Sequence, residues 1–450
     1  MTTLTPPALF GSRPVVGHAL AFNRDPETVL RRGLDEHGGE PFALNILGKR
    51  FVVVLAPEHT RQFYRDRALT HRGAMPFFER MFMPGFLSMG PEQQYRTQRR
   101  LIEPLFDHSA VSNYLPTIEA ETRTFIANLV ETSGEEGEFD VEVFGPLILR
   151  IATVAFISPV VADDMDLDFF RTFRAFSDGM TFTPGWIPSR RNWRSRRAAR
   201  QLKTALRAMI RDRRENPLPE PDFIQVLASR TYDDDTVVAE EVIECLLLVL
   251  AWAAHETTSA MVQWLITDLL QDPDLLARAR EEADEALATD SPVDRGTIER
   301  MPLLRAALDE TENWHAISPV LLRRAEADTT IGDYAIPAGT MVMTSPAMAH
   351  RLVAGLNEPA GYTPARFMGD DAKTLRLNLQ GFGAGTHRCL GKPVAQQEIP
   401  LIIAIMLQAF DMTLTTGAPR PVSGATGSKW PQSPCRIAYR VRGRASAGDD

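Results

Sequence analysis

Two clusters of reactive side chains stand out along the chain. The first lies in the stretch GFGAGTHRCLG, residues 381–391. Gly381, Gly383 and Gly385 fall within five residues, which predicts a tight turn where backbone approaches another group closely. Cys389 follows, and Pro393 suits the first turn of a helix that continues through VAQQEIPLIIAIMLQAF. A cysteine at or just before a helix N-terminus meets unpaired N–H groups that favour thiolate over thiol. His387 and Arg388 add positive character beside it. Such a thiolate can be a nucleophile or a metal ligand, and a buried structural cysteine is the bland alternative.

The nucleophile reading lacks a partner set, because His387 is only two residues away and no orienting acid is evident. A dinucleotide loop fails on its last glycine, where Arg388 stands. The second cluster is His255, Glu256, Thr257 and Thr258, which follow the apolar run CLLLVLAWAA (245–254). A helix apolar on every face is a buried helix. A carboxylate inside one is costly unless it is paired or functional. The alternative is that the quartet lies past the buried part and faces water. A zinc-protease pattern is excluded, since Ser259 stands where the second histidine should be.

These clusters need elements to hold them. Residues 239–271 have the longest helical pattern, about 33 residues or roughly 50 Å. Helical periodicity also covers 92–106, 114–132, 197–214, 273–288, 298–313 and 389–409. Residues 41–56 read as a β-hairpin punctuated by Gly48-Lys49, and 320–345 as a second strand region. The expected class is mainly α with small β-sheets. Strands near the start and in the last third predict one interleaved domain over 1–450, with a Pro-rich arm at 1–20 and a frayed tail at 444–450.

Composition narrows the function. The chain has 450 residues, 49 Lys and Arg against 58 Asp and Glu, and a formal charge of −9. That balance argues against a nucleic-acid binder. Three cysteines without a CxxC pair make neither a disulfide scaffold nor a structural zinc site. A reducing cytoplasm is the expected compartment. No leader pattern and no sufficiently long apolar run predict a membrane anchor.

The motif Phe382-x-x-Gly385-x-x-x-Cys389-x-Gly391 resembles the haem-binding loop of the cytochrome P-450 family. The resemblance extends from about residue 10 to 440. Ala253-Ala254-His255-Glu256-Thr257 resembles the family's oxygen-binding helix, with Ala254 where glycine is usual. Tyr362–Phe367 (YTPARF) resembles its meander. Gly90–Arg100 (GPEQQYRTQRR) resembles a helix that touches a haem propionate, and Leu322–Ala325 (LRRA) a strand that touches the other. Parts of the chain are similar to the bacterial sterol-demethylase-like branch, namely AMPFFERMF, TSPAMAHR and SPCRIAYR.

The resemblance implies a cytochrome P-450 fold and one haem b with Cys389 as its thiolate ligand, which favours O–O cleavage. Phe382, Gly385 and Gly391 would shape the loop. His387, Arg323, Arg99 and Tyr95 would meet the propionates. Glu256 and Thr257 would deliver protons as an acid–alcohol pair, and Ala254 would narrow the oxygen groove. The family's Glu-x-x-Arg pair reads Glu310-Thr311-Glu312-Asn313 here. An ion pair between Glu310 and Arg366 is therefore expected, with Asn313 bonded to nearby backbone and Trp314 filling the space beside it.

The substrate pocket implied is apolar and adaptable. Its candidates are Met75, Phe77, Phe78, Phe82, Met180, Phe182, Trp252, Ala253 and Ile317, with Met81, Met83, Phe176 and Trp186 nearby. Met75 replaces an aromatic hydroxyl usual in the sterol-demethylase branch, so a sterol substrate is not implied. The implied activity is monooxygenation of an apolar small molecule, a secondary metabolite such as a terpenoid or polyketide. O2 and two electrons from a ferredoxin-type donor would drive it, in a monomer. Redox-neutral haem chemistry and a haem or ligand carrier are the rival readings.

Overall fold

A helix with no polar face must be wrapped on every side, and Glu240–Leu270 is. The computed structural model describes residues 3–181, 189–288, 292–357, 359–423 and 427–443. The helix is long and apolar enough to cross a membrane, yet 78% of its most apolar window is buried inside the protein. Helices Phe144–Phe156, Arg190–Glu215, Pro302–His315 and Lys392–Ala409 pack around it. Its C-terminal half joins a core with Phe144, Ile148, Leu304, Ile402 and Phe410. Its N-terminal half joins a second core with Leu149, Phe173, Phe176, Leu206 and Ile224. Each such side chain contributes about 1.5–3 kcal/mol on full burial.

The five-stranded sheet runs in the order Phe42–Ile46, Lys49–Val53, Met341–Thr344, Leu321–Ala325, Leu69–Thr70. The first two strands form the expected hairpin, turned at Leu47 (φ 52) and Gly48 (φ 77). Lys49–Val53 pairs parallel with Met341–Thr344, which pairs antiparallel with Leu321–Ala325. N-terminal and C-terminal segments therefore share one sheet, and Arg323 is fixed opposite Val342. A second sheet joins Glu136–Asp140, Arg436–Val441 and Phe410–Leu414.

Several boundaries differ from the periodicity. The segment 298–313 is two helices, Arg295–Glu299 and Pro302–His315, because Pro302 starts a new first turn. The helix from Glu92 ends at Ile102, and Pro104 converts Glu103–Phe106 to a 3₁₀ turn. The helix after the cysteine begins at Lys392, three residues beyond Cys389. The N-terminal arm is pinned to the sheet by Leu4 N–H to Asp333 O and Leu9 N–H to Ala43 O. Helix Ala19–Arg24 begins before residue 20. The tail 444–450 lies outside the described residues.

Candidate active site

The glycine-rich loop closes on itself, for Cys389 N–H donates to Phe382 O at 3.0 Å and Gly383 N–H to Gln380 O at 2.9 Å. Gly385 has φ 69, and a Cβ there would lie 2.5 Å from Tyr64 O, so only glycine fits. Gly391 is less constrained, since its φ is −75 and a Cβ would meet Cys389 Sγ at 3.8 Å. Among the cysteines Cys389 keeps exposed surface, whereas Cys245 and Cys435 are buried. Burial nevertheless pushes the Cys389 thiol up, against the N–H groups of Gly391 and Lys392 and the charges of Arg99 and Lys392.

Helix Glu92–Ile102 clamps this loop. Tyr95 Oη donates to Thr386 O at 3.0 Å, and Arg99 donates to Tyr95 Oη at 2.6 Å and to the carbonyls of Thr386 and Arg388 at 3.3 and 3.4 Å. Arg99 Nε also bonds Glu103 at 3.1 Å. Both side chains, expected to meet a propionate, are thus largely spent on carbonyls that the tight turn orphans. Different groups keep unsatisfied buried nitrogens: Arg323 Nε, His387 Nδ1 and His71 Nδ1. The rings of His71 and His387 lie 4.4 Å apart. Arg323 donates to Phe63 O at 2.7 Å and sits over the Phe63 ring at 4.9 Å. Burial lowers it to about 10 and, with Arg323 and Arg99 nearby, lowers His387 to about 4. The cluster offers one cationic group, Arg323, beside two neutral imidazoles. His71 escaped the sequence reading, since a lone histidine after a short strand carries no pattern.

On the long helix, His255, Glu256 and Thr258 are buried, while Ala253 and Thr257 are exposed. Residues i and i+4 share one face, so one strip of an otherwise buried helix lines an open space. Ala254, beside it, is half-buried. Thr257 Oγ1 donates to Ala253 O at 2.9 Å. Glu256 does not pair with Thr257: its Oε1 accepts from Ser177 Oγ, which in turn accepts from Trp252 Nε1 at 3.1 Å. The physical reason is helical geometry, which points adjacent residues about 100° apart. Burial raises the Glu256 carboxyl, and the Ser177 hydroxyl and Arg174 oppose it. Ser177 ends helix Leu167–Ser177, 79 residues away, and was invisible in the sequence. His255 Nδ1 lies 3.8 Å from Glu256 Oε1, and burial lowers His255 to about 3 against a backbone bond at Gly145, so it stays neutral.

Helix Pro302–His315 holds the chain on either side of the meander with successive residues. Arg376 Nε donates to Asp309 at 2.5 Å. Arg366 Nε lies 2.9 Å from Glu310 Oε2, and Thr363 N–H donates to Glu310 Oε1 at 2.9 Å. Burial pushes the Glu310 carboxyl up to about 7, and those two groups draw it back. Asn313 Nδ2 donates to Leu356 O at 2.9 Å and to Glu310 at 3.3 Å. Trp314 does not fill space beside Asn313; it is 44% exposed, because its position falls on the solvent side of the helix.

The apolar candidates gather in the second core. Phe82 stacks near Phe78 at 4.6 Å, Phe176 at 5.8 Å and Trp252 at 6.4 Å. Phe77, Met81 and Met180 are buried there, while Met75, Phe78, Met83 and Trp252 are half-buried. Ile317 belongs to the other core, where its carbonyl accepts Lys429 N–H at 2.9 Å. Phe182 and Trp186 lie outside the described residues.

A family profile described as cytochrome P450 matches residues 7–437. The chain belongs to the cytochrome P-450 family. Among its relatives is the cyclooctat-9-en-7-ol 5-monooxygenase of Streptomyces melanosporofaciens, 29% identical over 94% of this chain and 91% of that one. The sterol 14alpha-demethylase of Mycolicibacterium vanbaalenii is 26% identical, covering 91% of each chain. Mouse lanosterol 14-alpha demethylase is 25% identical over 98% of this chain and 88% of its own. The solved cyanobacterial CYP120A1, bound to retinoic acid, superposes with a TM-score of 0.85 over 98% of this chain and all of the other, at 21% identity.

This P-450 is an oxidoreductase that uses haem b, O2, an organic substrate and electrons from a redox partner. The residues present fit the cofactor. An exposed cysteine lies just before a helix N-terminus. Two imidazoles and a guanidinium edge keep unsatisfied buried nitrogens that would serve as donors to the cofactor's two carboxylates.

Proposed function

We propose that this P-450 is a monooxygenase of an apolar, terpenoid-like small molecule, with Cys389 as the thiolate ligand of haem. Haem b supplies the redox chemistry that activates O2. The observation that carries the reading is the strip Ala253–Thr257, open on an otherwise buried helix and adjoining the aromatic cluster Phe78, Phe82 and Trp252. Phe78, Phe82, Met75 and Trp252 give the substrate an apolar, deformable wall. Arg323 supplies positive charge to the propionates, and the neutral imidazoles of His387 and His71 donate N–H bonds to them. Thr257, with its hydroxyl at the open face, orders water there. Glu256, buried and held by Ser177, passes protons inward. The relative that acts on cyclooctat-9-en-7-ol supports a terpenoid-like substrate and a place in secondary metabolism.

The finer assignments go with this reading. The chain works as one cytoplasmic domain and as a monomer. Its electrons come from a ferredoxin-type donor, and the exposed Arg388 beside Cys389 offers a positive charge to it.

The test is the visible spectrum. The reduced, CO-bound protein should show the red-shifted Soret band of thiolate ligation. Cys389→Ala should abolish it, while Cys245→Ser and Cys435→Ser should keep it. A terpenoid panel should displace the resting spectrum at lower concentration than polyketide or aromatic candidates. Persistence of the thiolate band in Cys389→Ala overturns the ligand assignment, and silence across the terpenoids overturns the substrate class.

A further inference from the structure

One buried carboxylate joins both ends of the cysteine loop. Glu312 sits at 3% exposure on helix Pro302–His315. Its Oε1 accepts Gly381 N–H at 2.9 Å, at the start of the loop. Its Oε2 lies 3.8 Å from Lys392 Nζ, at the loop's far end, three residues past Cys389. Lys392 Nζ also stands 5.0 Å over the Phe382 ring, and Phe382 O accepts Cys389 N–H at 3.0 Å. Gly381 is shaped to this contact, for a Cβ there would lie 2.7 Å from Glu312 Cγ and 2.9 Å from its Oε1.

We propose that Glu312 is a positioning residue for Cys389, stapling residues 381 and 392 together and offsetting the Lys392 charge that the cysteine sulfur feels. The inference rests on Cys389 being the haem ligand. Two physical effects follow from one side chain. The first is geometric. A charge-assisted bond to a backbone N–H is about twice as strong as a neutral one. Here it holds the residue whose neighbour accepts the Cys389 N–H. The second is electrostatic. The Lys392 ammonium, 5.0 Å over the Phe382 ring that sits beside Cys389 in the loop, places a positive charge near the sulfur, and such a charge favours an anionic ligand. A carboxylate 3.8 Å away takes back part of that effect, and less solvent screens the pair inside the protein. Lys392 in turn draws the Glu312 carboxyl down against burial, which holds it at about 7, and Asp309 on the same helix opposes that. Asn313, by contrast, reaches Leu356 and Glu310 and makes no bond to the cysteine loop.

The test uses the haem-loaded protein and three variants. Glu312→Gln keeps an acceptor for Gly381 but removes the charge, so the iron reduction potential should rise. Lys392→Met removes the opposing charge, so the potential should fall, and the double variant should return towards wild type. Glu312→Leu loses the staple as well. Its reduced CO complex should lose the long-wavelength band, and the Gly381 amide should exchange its hydrogen faster. Opposite shifts in the two single variants are the expected result, which a purely structural role does not produce. Unchanged potentials in both, or shifts of the same sign, overturn the proposal whatever Glu312→Leu does. Should the wild type itself lack the Cys389-dependent band, it is the ligand assignment that fails.

Discussion

Arg366 Nε lies 2.9 Å from Glu310 Oε2 with both side chains buried, and Asn313 occupies the place beside them that an arginine usually takes in this family. The pair is complete without that arginine. Thr363 N–H and Asn313 Nδ2 use the remaining carboxylate lone pairs, and Arg366 spends other donors on the carbonyls of Gly355, Pro359 and Gly361.

Breaking this pair from either side leaves a buried charge, at a cost of about 3–5 kcal/mol. Glu310→Ala and Arg366→Ala should therefore lower the unfolding temperature strongly and empty the protein of haem. Asn313→Ala loses the bonds to Leu356 O and Glu310 and should cost about 1–2 kcal/mol, less than breaking the pair. Thermal unfolding and haem content of the three variants check this, and an Asn313→Ala protein as damaged as Glu310→Ala contradicts it.

Proton delivery should depend on the Ser177–Glu256 contact. Glu256→Gln and Thr257→Ala should each divert electrons into peroxide, with coupled turnover falling about 10²–10⁴-fold. The Ser177 hydroxyl holds the Glu256 carboxyl down, so Ser177→Ala should let it rise further. The alkaline limb of the coupling profile should then move to higher pH. Product formed per electron, measured across pH, reads the shift, and an unmoved limb argues that Glu256 carries no proton.

The unsatisfied nitrogens at the loop edge predict a graded loss of haem. His71→Phe keeps the ring volume but removes the nitrogens, and should release haem roughly 10-fold faster, the equivalent of about 1.4 kcal/mol. Arg323→Leu should do more, since Arg323 also holds Phe63 O at 2.7 Å. Transfer of haem to an acceptor protein measures both rates. Equal rates for wild type and His71→Phe would place the propionates elsewhere.

Glu398, buried on helix Lys392–Ala409, has its carboxyl pushed up to about 8 by burial alone. Its folded value thus exceeds the unfolded one near 4.5. The folded state binds the extra proton between those values, so stability falls as pH rises from about 4.5 through 8. Each unit of that difference is worth about 1.4 kcal/mol. Glu398→Gln should remove this slope and be the more stable protein at alkaline pH. Denaturant unfolding of both proteins across that range tests it, and parallel curves would refute it.

What was legible in the sequence was local. The spacing from Phe382 to Gly391 encodes a loop whose turn needs glycine at 385, where φ is 69 and Tyr64 O leaves no room for a Cβ. The apolar run from Cys245 to Ala254 encodes a wrapped helix, because no face of it tolerates water. Residues 41–56 encode a hairpin through their alternation and the Leu47-Gly48 turn. Glu310 and Arg366 could be matched because both stand in motifs that resemble those of the family. Tertiary structure decided the rest. Ser177, His71 and Glu312 act through contacts with Glu256, His387 and Gly381, partners 69 or more residues away. No periodicity records such separations, since they depend on how helices pack and not on how each one forms. The contacts of Arg99 and Tyr95 were hidden for the same reason. Only the folded loop shows that the carbonyls of Thr386 and Arg388 need donors, and these two side chains are the ones within reach.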